Sequence, residues 1–277
     1  MRAEQDTIPS VYDAYPLSDL TLARRLERCE AKSNAAFVEA RARLRPETGA
    51  TWMECAGAYA MFDGVGSPLT QTFALGMFAT PTATDLETIE RFFEERGAAV
   101  FHEVSPIAPM EMLELLATRG YRPVELSSVM FRPISGTRPE EGRVRARVAT
   151  ADEIALWSDV AAEGWREFGV SDFVRDIGQI SASSEGMTVF LAELDGRAIG
   201  TGAVGIHDGV AILAGASTIP EARKQGAQRA LLNARLAYAA QHGCDLAMMA
   251  AAPGSASQRN AERQGFRIAY TRIKWGR

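Results

Sequence analysis

Several things a chain of 277 residues can carry are missing here, and each absence closes off a class of protein. Only three cysteines occur (Cys29, Cys55 and Cys244), an odd number, widely scattered and without C-x-x-C spacing. That argues against a disulfide framework and against a structural zinc site, so the thiols are expected to be reduced and mostly buried, with no metal ligated. No window approaches the roughly 18 uncharged apolar residues of a membrane span. The opening stretch MRAEQDTIPS lacks the apolar core of a signal peptide. A soluble, cytoplasmic protein is expected. An excess of basic residues is also missing: the net charge is −5, so neither nucleic acid nor a membrane is expected as a partner, and any anionic ligand must be held by a local site. What is present is 47% apolar and 23% charged residues. Disorder, collagen and coiled coil are ruled out, and the length fits two globular domains or one large one.

The best linker is FRPISGTRPEEGR, between Met130 and Val144, where Gly and Pro cluster around an acidic pair. It predicts an N-terminal domain over 1–135, a linker over 136–142 and a C-terminal domain over 143–277. In the second half the pattern predicts a strand at 144–150, helices at 151–165 and 172–184, and three antiparallel strands separated by the turn dipeptides Asp195-Gly196 and Asp208-Gly209. A helix follows over 227–242, with Ala227, Leu231, Ala234 and Tyr238 on one face. A buried apolar strand (244–252), a short helix opened by Ser255 or Ser257, and a last strand (266–275) complete it. The first half, read from a hairpin at Asp63-Gly64, repeats this order: strand 67–77, helix 85–96, strand 98–107, helix 110–120, strand 121–131. Gly97 and Gly120 lie 23 residues apart and Gly243 and Gly265 lie 22 apart; Gly120-Tyr121-Arg122 echoes Gly265-Phe266-Arg267. A tandem duplication is the expectation.

Gly200-Thr-Gly202-Ala-Val-Gly205 has the spacing of a dinucleotide fingerprint but the wrong context, because Gly205 runs into a strand end and hairpin rather than a helix. These glycines read as close-packing or bulge positions inside a strand. His102, beside Glu103 in an apolar strand, reads as a core histidine, and Gly64-Val-Gly66-Ser67-Pro68 as a strand entry. The stretch from Ile219 to Leu232 is different, since it joins a strand to the start of an amphipathic helix. A helix start leaves about four N–H groups without partners and carries partial positive charge. Gly226 allows close approach, and Arg223, Lys224 and Arg229 add cations. By chemistry alone this is either an anion site or a solvated basic turn.

The order strand, R-x-x-G-x-G/A loop, helix, buried strand, short helix, Gly-Phe, strand resembles the GNAT superfamily of acyl-CoA-dependent N-acetyltransferases. The residues that carry the resemblance are Arg223-Lys-Gln-Gly226-Ala-Gln228, with Gln228 where the family has Gly or Ala, and Ser257-Gln-Arg-Asn260-Ala-Glu-Arg-Gln-Gly265-Phe266. It implies an α/β (α+β) fold of two tandem GNAT-like domains, each a mixed, mostly antiparallel sheet flanked by helices. It further implies that acetyl-CoA is the co-substrate, its pyrophosphate held by Arg223, Lys224, Gln225, Gly226, Ala227, Gln228 and Arg229. The pantetheine arm would then lie against Ala216, Ser217 and Thr218 on one side and Ser257 or Asn260 on the other. The implied reaction is attack of a primary amine on the thioester. Where the family carries a proton-donating Tyr, this sequence has Ala261, so the enzyme is slow, uses water or recruits another group such as Tyr270; Glu163, Glu167 and His207 are the candidate bases, acting through water.

The first half departs from the pattern. Its corresponding loop, Ala79-Thr-Pro81-Thr-Ala-Thr-Asp85-Leu-Glu87, has no glycine and no cation, and places carboxylates at the positive end of the helix dipole. This copy is expected not to bind CoA. Three functional readings follow: an N-acetyltransferase acting on a small-molecule or peptide amine, a non-catalytic CoA-binding protein, or a small-ligand sensor, in each case as monomer or homodimer. Trp157, Trp165, Phe168 and Phe173 make the acceptor region aromatic, which fits an apolar acceptor, a core or a dimer interface.

Overall fold

A computed structural model describes residues 15–134 and 142–277. The linker expected over 136–142 lies almost wholly outside the described residues.

The N-terminal half opens with a 25-residue helix, α1 (Leu20–Leu44), capped by Asp19, whose carboxylate accepts from the Leu22 amide at 2.9 Å. Strands β1 (Thr51–Cys55) and β2 (Ala58–Phe62) form a hairpin around Ala56-Gly57, both at positive φ. Then come β3 (Gln71–Phe73), α2 (Ala83–Glu94), β4 (Phe101–Val104), α3 (Met110–Thr118) and β5 (Arg122–Pro133). A second hairpin, joining β2 to antiparallel β3, opens at Asp63-Gly64 as expected, but it is not closed by a two-residue turn. Asp63 instead accepts from Ser67 Oγ at 2.6 Å and pairs with Arg41 at 2.8 Å, tying the turn to α1. The C-terminal half runs β6 (Arg145–Val148), α4 (Ile154–Gly164), α5 (Ser171–Ala182), β7 (Met187–Leu194), β8 (Arg197–His207), β9 (Val210–Thr218), α6 (Ala227–Gln241), β10 (Leu246–Ala251), α7 (Ala256–Arg263) and β11 (Arg267–Gly276). Asp195 and Asp208 adopt positive φ at the two expected hairpin turns, each followed by a glycine that does the same.

All eleven strands form one sheet in the order β1-β2-β3-β4-β11-β5-β10-β9-β8-β7-β6. The order is mirrored about the β11/β5 pair, with β6 at the far edge as the one strand without a counterpart. On each side a parallel pair (β3 with β4, β9 with β10) is continued outward by antiparallel neighbours. Each half lends its last strand to the other: β11 pairs antiparallel with β4, and β5 pairs antiparallel with β10. The fold is thus that of two tandem GNAT-like units of mixed, mostly antiparallel sheet flanked by helices. The four punctuating glycines, Gly97, Gly120, Gly243 and Gly265, stop α2, α3, α6 and α7 at φ between +66° and +84°.

The exchanged strand β11 carries a buried charge cluster into the N-terminal half. Arg272 lies 2.8 Å from Glu30 of α1, 2.8 Å from Glu103 of β4 and 3.4 Å from Glu27 of α1, while Tyr270 donates to Glu27 at 2.8 Å. Three carboxylates around one guanidinium cannot all ionise cheaply away from water. Burial, opposed by Arg272, pushes the Glu27 carboxyl up to about 7. His102 on β4 is wholly buried against Tyr121, ring centroids 4.8 Å apart, and burial lowers it to about 3, which makes it the neutral core histidine expected.

Candidate functional site

The three strand glycines explain how helices approach both faces of β8. A Cβ at Gly202 would meet the Arg235 guanidinium of α6 at 3.0 Å, and one at Gly205 would meet Ile212 at 2.9 Å and Ser33 of α1 at 3.2 Å. At Gly200 it would meet the Ser217 carbonyl at 2.9 Å. These are close-packing positions within a strand, as the failed fingerprint context predicts.

Parallel pairing of β9 with β10 ends at Ile212 and Met248, although β9 continues to Thr218 and β10 to Ala251. A register shift between β8 and β9, with Gly215 at φ +60°, bends β9 at that point. Ala214, Gly215 and Ala216 are exposed there, so main chain lines a gap between diverging strands. On the far side, β10 is backed by β5 of the other half, from which buried Ser128 hydrogen-bonds Gln258 of α7 at 3.2 Å.

Beyond β9 the chain turns through Lys224 (φ +65°) and Gly226 (φ +92°) into α6. A Cβ at Gly226 would meet nothing within 4 Å. The first helical bond runs from the Ala230 amide to the Gly226 carbonyl at 3.0 Å, and the helix has neither a side-chain cap nor an acid in its first turn. The amides of residues 227–229 therefore face the loop with the positive end of the dipole behind them. The other half is built the opposite way. At the start of α2, Asp85 accepts from the Thr82 amide at 2.8 Å and the Thr82 hydroxyl at 2.7 Å, and the Thr82 oxygen accepts from the Asp85 amide at 3.2 Å. That helix end is closed by its own carboxylate.

The expected site residues divide into three groups. Lys224, Gln225, Gly226, Ala227 and Arg229 do stand on the loop and first turn, with the exposed strand end at Ala216 beside them, and Ser257 and Asn260 lie exposed on α7 across the gap. Others are brought there but are engaged within the protein. Ser217 donates to the Ala161 carbonyl at 3.1 Å, and Gln228 donates to the Ser217 carbonyl and Thr218 hydroxyl, both at 2.8 Å. Arg223 pairs with Glu167 at 2.6 Å and donates to the Gly164 carbonyl at 3.2 Å; Arg166 joins Glu163 to Glu221. These bonds clamp the end of α4 to the loop, and Gly164 is required for the clamp, since a Cβ there would lie 1.8 Å from Ser217 Oγ.

Two expected residues stand elsewhere. Tyr270 is the first correction: it lies three strands from β9, buried, with its hydroxyl on Glu27, and burial beside that carboxylate raises it well above the usual phenol range. His207 is the second: it ends β8 opposite Val210, about 20 Å along the strand from Thr201 at ordinary strand rise. Burial, and then Lys32, lowers its ring.

Arg235 escaped the sequence reading. It is buried, donating to the carbonyls of Leu231 (3.1 Å), Ala203 (3.2 Å) and Ala214 (3.2 Å), and burial alone lowers it to about 10. It fastens α6 to the paired residues Ala203 of β8 and Ala214 of β9, next to the bend. The signal was an arginine one turn after Leu231, on the apolar face of the helix. Of the four aromatics, Trp157 is core and donates to the Phe190 carbonyl at 2.9 Å, whereas Trp165, Phe168 and Phe173 are exposed near the α4 end. Among the described residues no group of His, Cys, Asp and Glu could hold a metal ion, and no helix is long and apolar enough to cross a membrane.

A strand end diverging from its parallel neighbour is thus joined by a glycine turn to an open helix start. Residues 154–266 match the model of the acetyltransferase (GNAT) family, and the chain carries a domain of that family there. Among solved structures it is similar to a GCN5-related N-acetyltransferase from Kribbella flavida, 22% identical over 87% of this chain and 95% of that one, TM-score 0.60. A tandem GNAT protein from the clavulanic acid biosynthesis pathway is 14% identical over 79% of this chain and 78% of that one, TM-score 0.57. A GCN5-related N-acetyltransferase from Sphaerobacter thermophilus is 18% identical over 79% and 76%, TM-score 0.54. At these identities the likeness is one of fold. No curated protein matches the chain by sequence.

Proposed function

We propose that the C-terminal half transfers an acetyl group from acetyl-CoA to a primary amine in a ternary complex. The observation that carries this reading is the contrast between the two helix starts, α6 open at Gly226 and α2 closed by Asp85. In this reading the pyrophosphate of CoA lies on the amides of residues 224–229 with Lys224 beside it. Its pantetheine arm extends main-chain pairing along Ala214–Ala216, in place of the β10 partner lost after Met248. The amine nitrogen attacks the thioester carbonyl, the C–N bond forms, the C–S bond breaks, and the thiolate takes a proton. Glu163 and Glu167, at the end of α4 and just beyond it, are the carboxylates able to take the amine proton through water. With Ala261 buried where the family carries a tyrosine, the thiolate is protonated by water. Exposed Trp165, Phe168 and Phe173 suit an amine with an apolar body. The fold's own division, with strands exchanged between the halves, supports domains meeting near residues 136–142.

The test is release of CoA thiol from acetyl-CoA over a panel of amines, in wild type and in Gly226→Glu, which puts a carboxylate where the phosphate would lie. Release by wild type and not by the variant is expected. Stabilisation by acetyl-CoA in thermal unfolding without any release would leave a CoA-binding protein lacking catalysis, and no stabilisation at millimolar ligand would overturn CoA binding itself.

A further inference from the structure

The N-terminal half has a groove of its own, lined by α1 and Phe78 and apart from the start of α6. By the mirrored order of the sheet, the carboxyl end of β3 corresponds to that of β9, and it lies at the edge where the β8–β9 hairpin and the start of β10 arrive from the other half. Here the helix start is closed by Asp85, yet positive charge has been supplied from a different element. Arg24, Arg25, Arg28 and Lys32 project from α1 into a groove of about 740 Å3 floored by Phe78. Their spacing puts Arg24, Arg28 and Lys32 one turn apart on a single helix face, an arrangement that destabilises a helix unless something offsets the repulsion. Two of the four are offset: Arg25 pairs with Asp245 and Lys32 with Asp208, 2.7 Å apart. The other two make no ion pair within 4 Å among the described residues, although Asp208, which also lines the groove, lies near enough for Arg28 to help lower its carboxyl. Arg24 donates through Nε to the Met77 carbonyl at 2.7 Å, which aims the rest of its guanidinium, and Arg28 lies flat over the Phe78 ring at 4.1 Å. Two guanidinium groups held in fixed orientations at the end of a cleft form a fork for oxyanions, in a protein whose net charge is −5.

We propose that this groove is a second ligand site, which binds a small polyanion bearing closely spaced phosphate or carboxylate groups between Arg24 and Arg28, with Arg25 and Lys32 at the rim. The degenerate copy has replaced an anion site made of helix amides with one made of guanidinium groups. Because Asp208 and Asp245 sit on the turns that begin β9 and β10, a ligand drawing on Arg25 and Lys32 touches the same two strands whose far ends diverge at the α6 site.

The proposal is tested by isothermal titration of the full chain at low salt with inorganic pyrophosphate and, separately, with citrate. The variants are R24Q/R28Q, R28K and Gly226→Glu. Arg24 and Arg28 are both exposed, so R24Q/R28Q folds, and circular dichroism checks this. Loss of two charge-assisted contacts weakens binding about 100-fold in R24Q/R28Q. R28K, which keeps the charge but not the flat face on Phe78, falls between, and Gly226→Glu retains the binding event. Pyrophosphate alone binding in this pattern assigns a phosphorylated ligand, citrate alone a polycarboxylate, and both the shared chemistry. The proposal is overturned if neither anion binds wild type, if R24Q/R28Q binds as wild type does, or if the event disappears in Gly226→Glu.

Discussion

Replacing Glu27 by glutamine isolates the buried cluster that β11 brings to α1. The substitution keeps an oxygen to accept from Tyr270 and leaves Arg272 between Glu30 and Glu103, so the guanidinium remains paired. What it removes is the ability to ionise. The carboxyl goes from 4.5 in its ordinary state to about 7 in the fold. A group raised in this way binds its proton more tightly when folded. Its contribution to stability is therefore fully present below pH 4.5 and is lost as pH rises through 7. At about 1.4 kcal/mol per pH unit, the gap corresponds to about 3 kcal/mol. Urea unfolding at pH 4.5, 6, 7 and 8 should show the stability of E27Q relative to wild type rising by about 3 kcal/mol across the series, with most of the change complete by pH 7.5. A difference between the two proteins that stays constant from pH 4.5 to 8 would refute the reasoning, because it would mean that Glu27 is ionised throughout.

Three further outcomes follow from geometry. Gly164→Ala drives a methyl group into Ser217 Oγ, and should cost about 1–3 kcal/mol in thermal unfolding while abolishing stabilisation by acetyl-CoA, because it pushes β9 away from α4. Asp85→Ala opens the start of α2 and should cost about 1 kcal/mol without changing acetyl-CoA binding; an effect on binding would mean that the two helix starts are not independent. The ring signals of His102 should stay at their neutral positions between pH 5 and 8 in a two-dimensional NMR titration, since its ring is lowered to about 3.

Much of the C-terminal half could be read in the chain because its turns are written in Asp-Gly and its helices end on glycine. The three antiparallel strands expected around Asp195-Gly196 and Asp208-Gly209 are observed as β7, β8 and β9, turning at those two dipeptides. The N-terminal half was harder for physical reasons. The 25-residue α1 mixes arginine and glutamate into its buried face, including Glu27 and Arg41, whose partners come from strands and turns distant in sequence. The β1–β2 turn is Ala56-Gly57, which lacks the asparagine or aspartate that marks a tight hairpin. At the site, the loop and the open helix start were legible because glycine and cations are local signals. The neutralisation of Arg223 by Glu167, the turning of Gln228 onto β9 and the burial of the Tyr270 hydroxyl on Glu27 were not, since each depends on which elements become neighbours.

The exchange of last strands also sets the order in which the molecule can be made. Residues 51–104 and 122–133 leave the ribosome early, yet β4 and β5 of that half are separated in the finished sheet by β11, residues 267–276. The first half must therefore hold a slot open across more than a hundred residues of synthesis, an edge exposed to mispairing until the last strand arrives. Neither half completes its sheet without the other, so a change that unfolds one half costs the other its neighbouring strand as well.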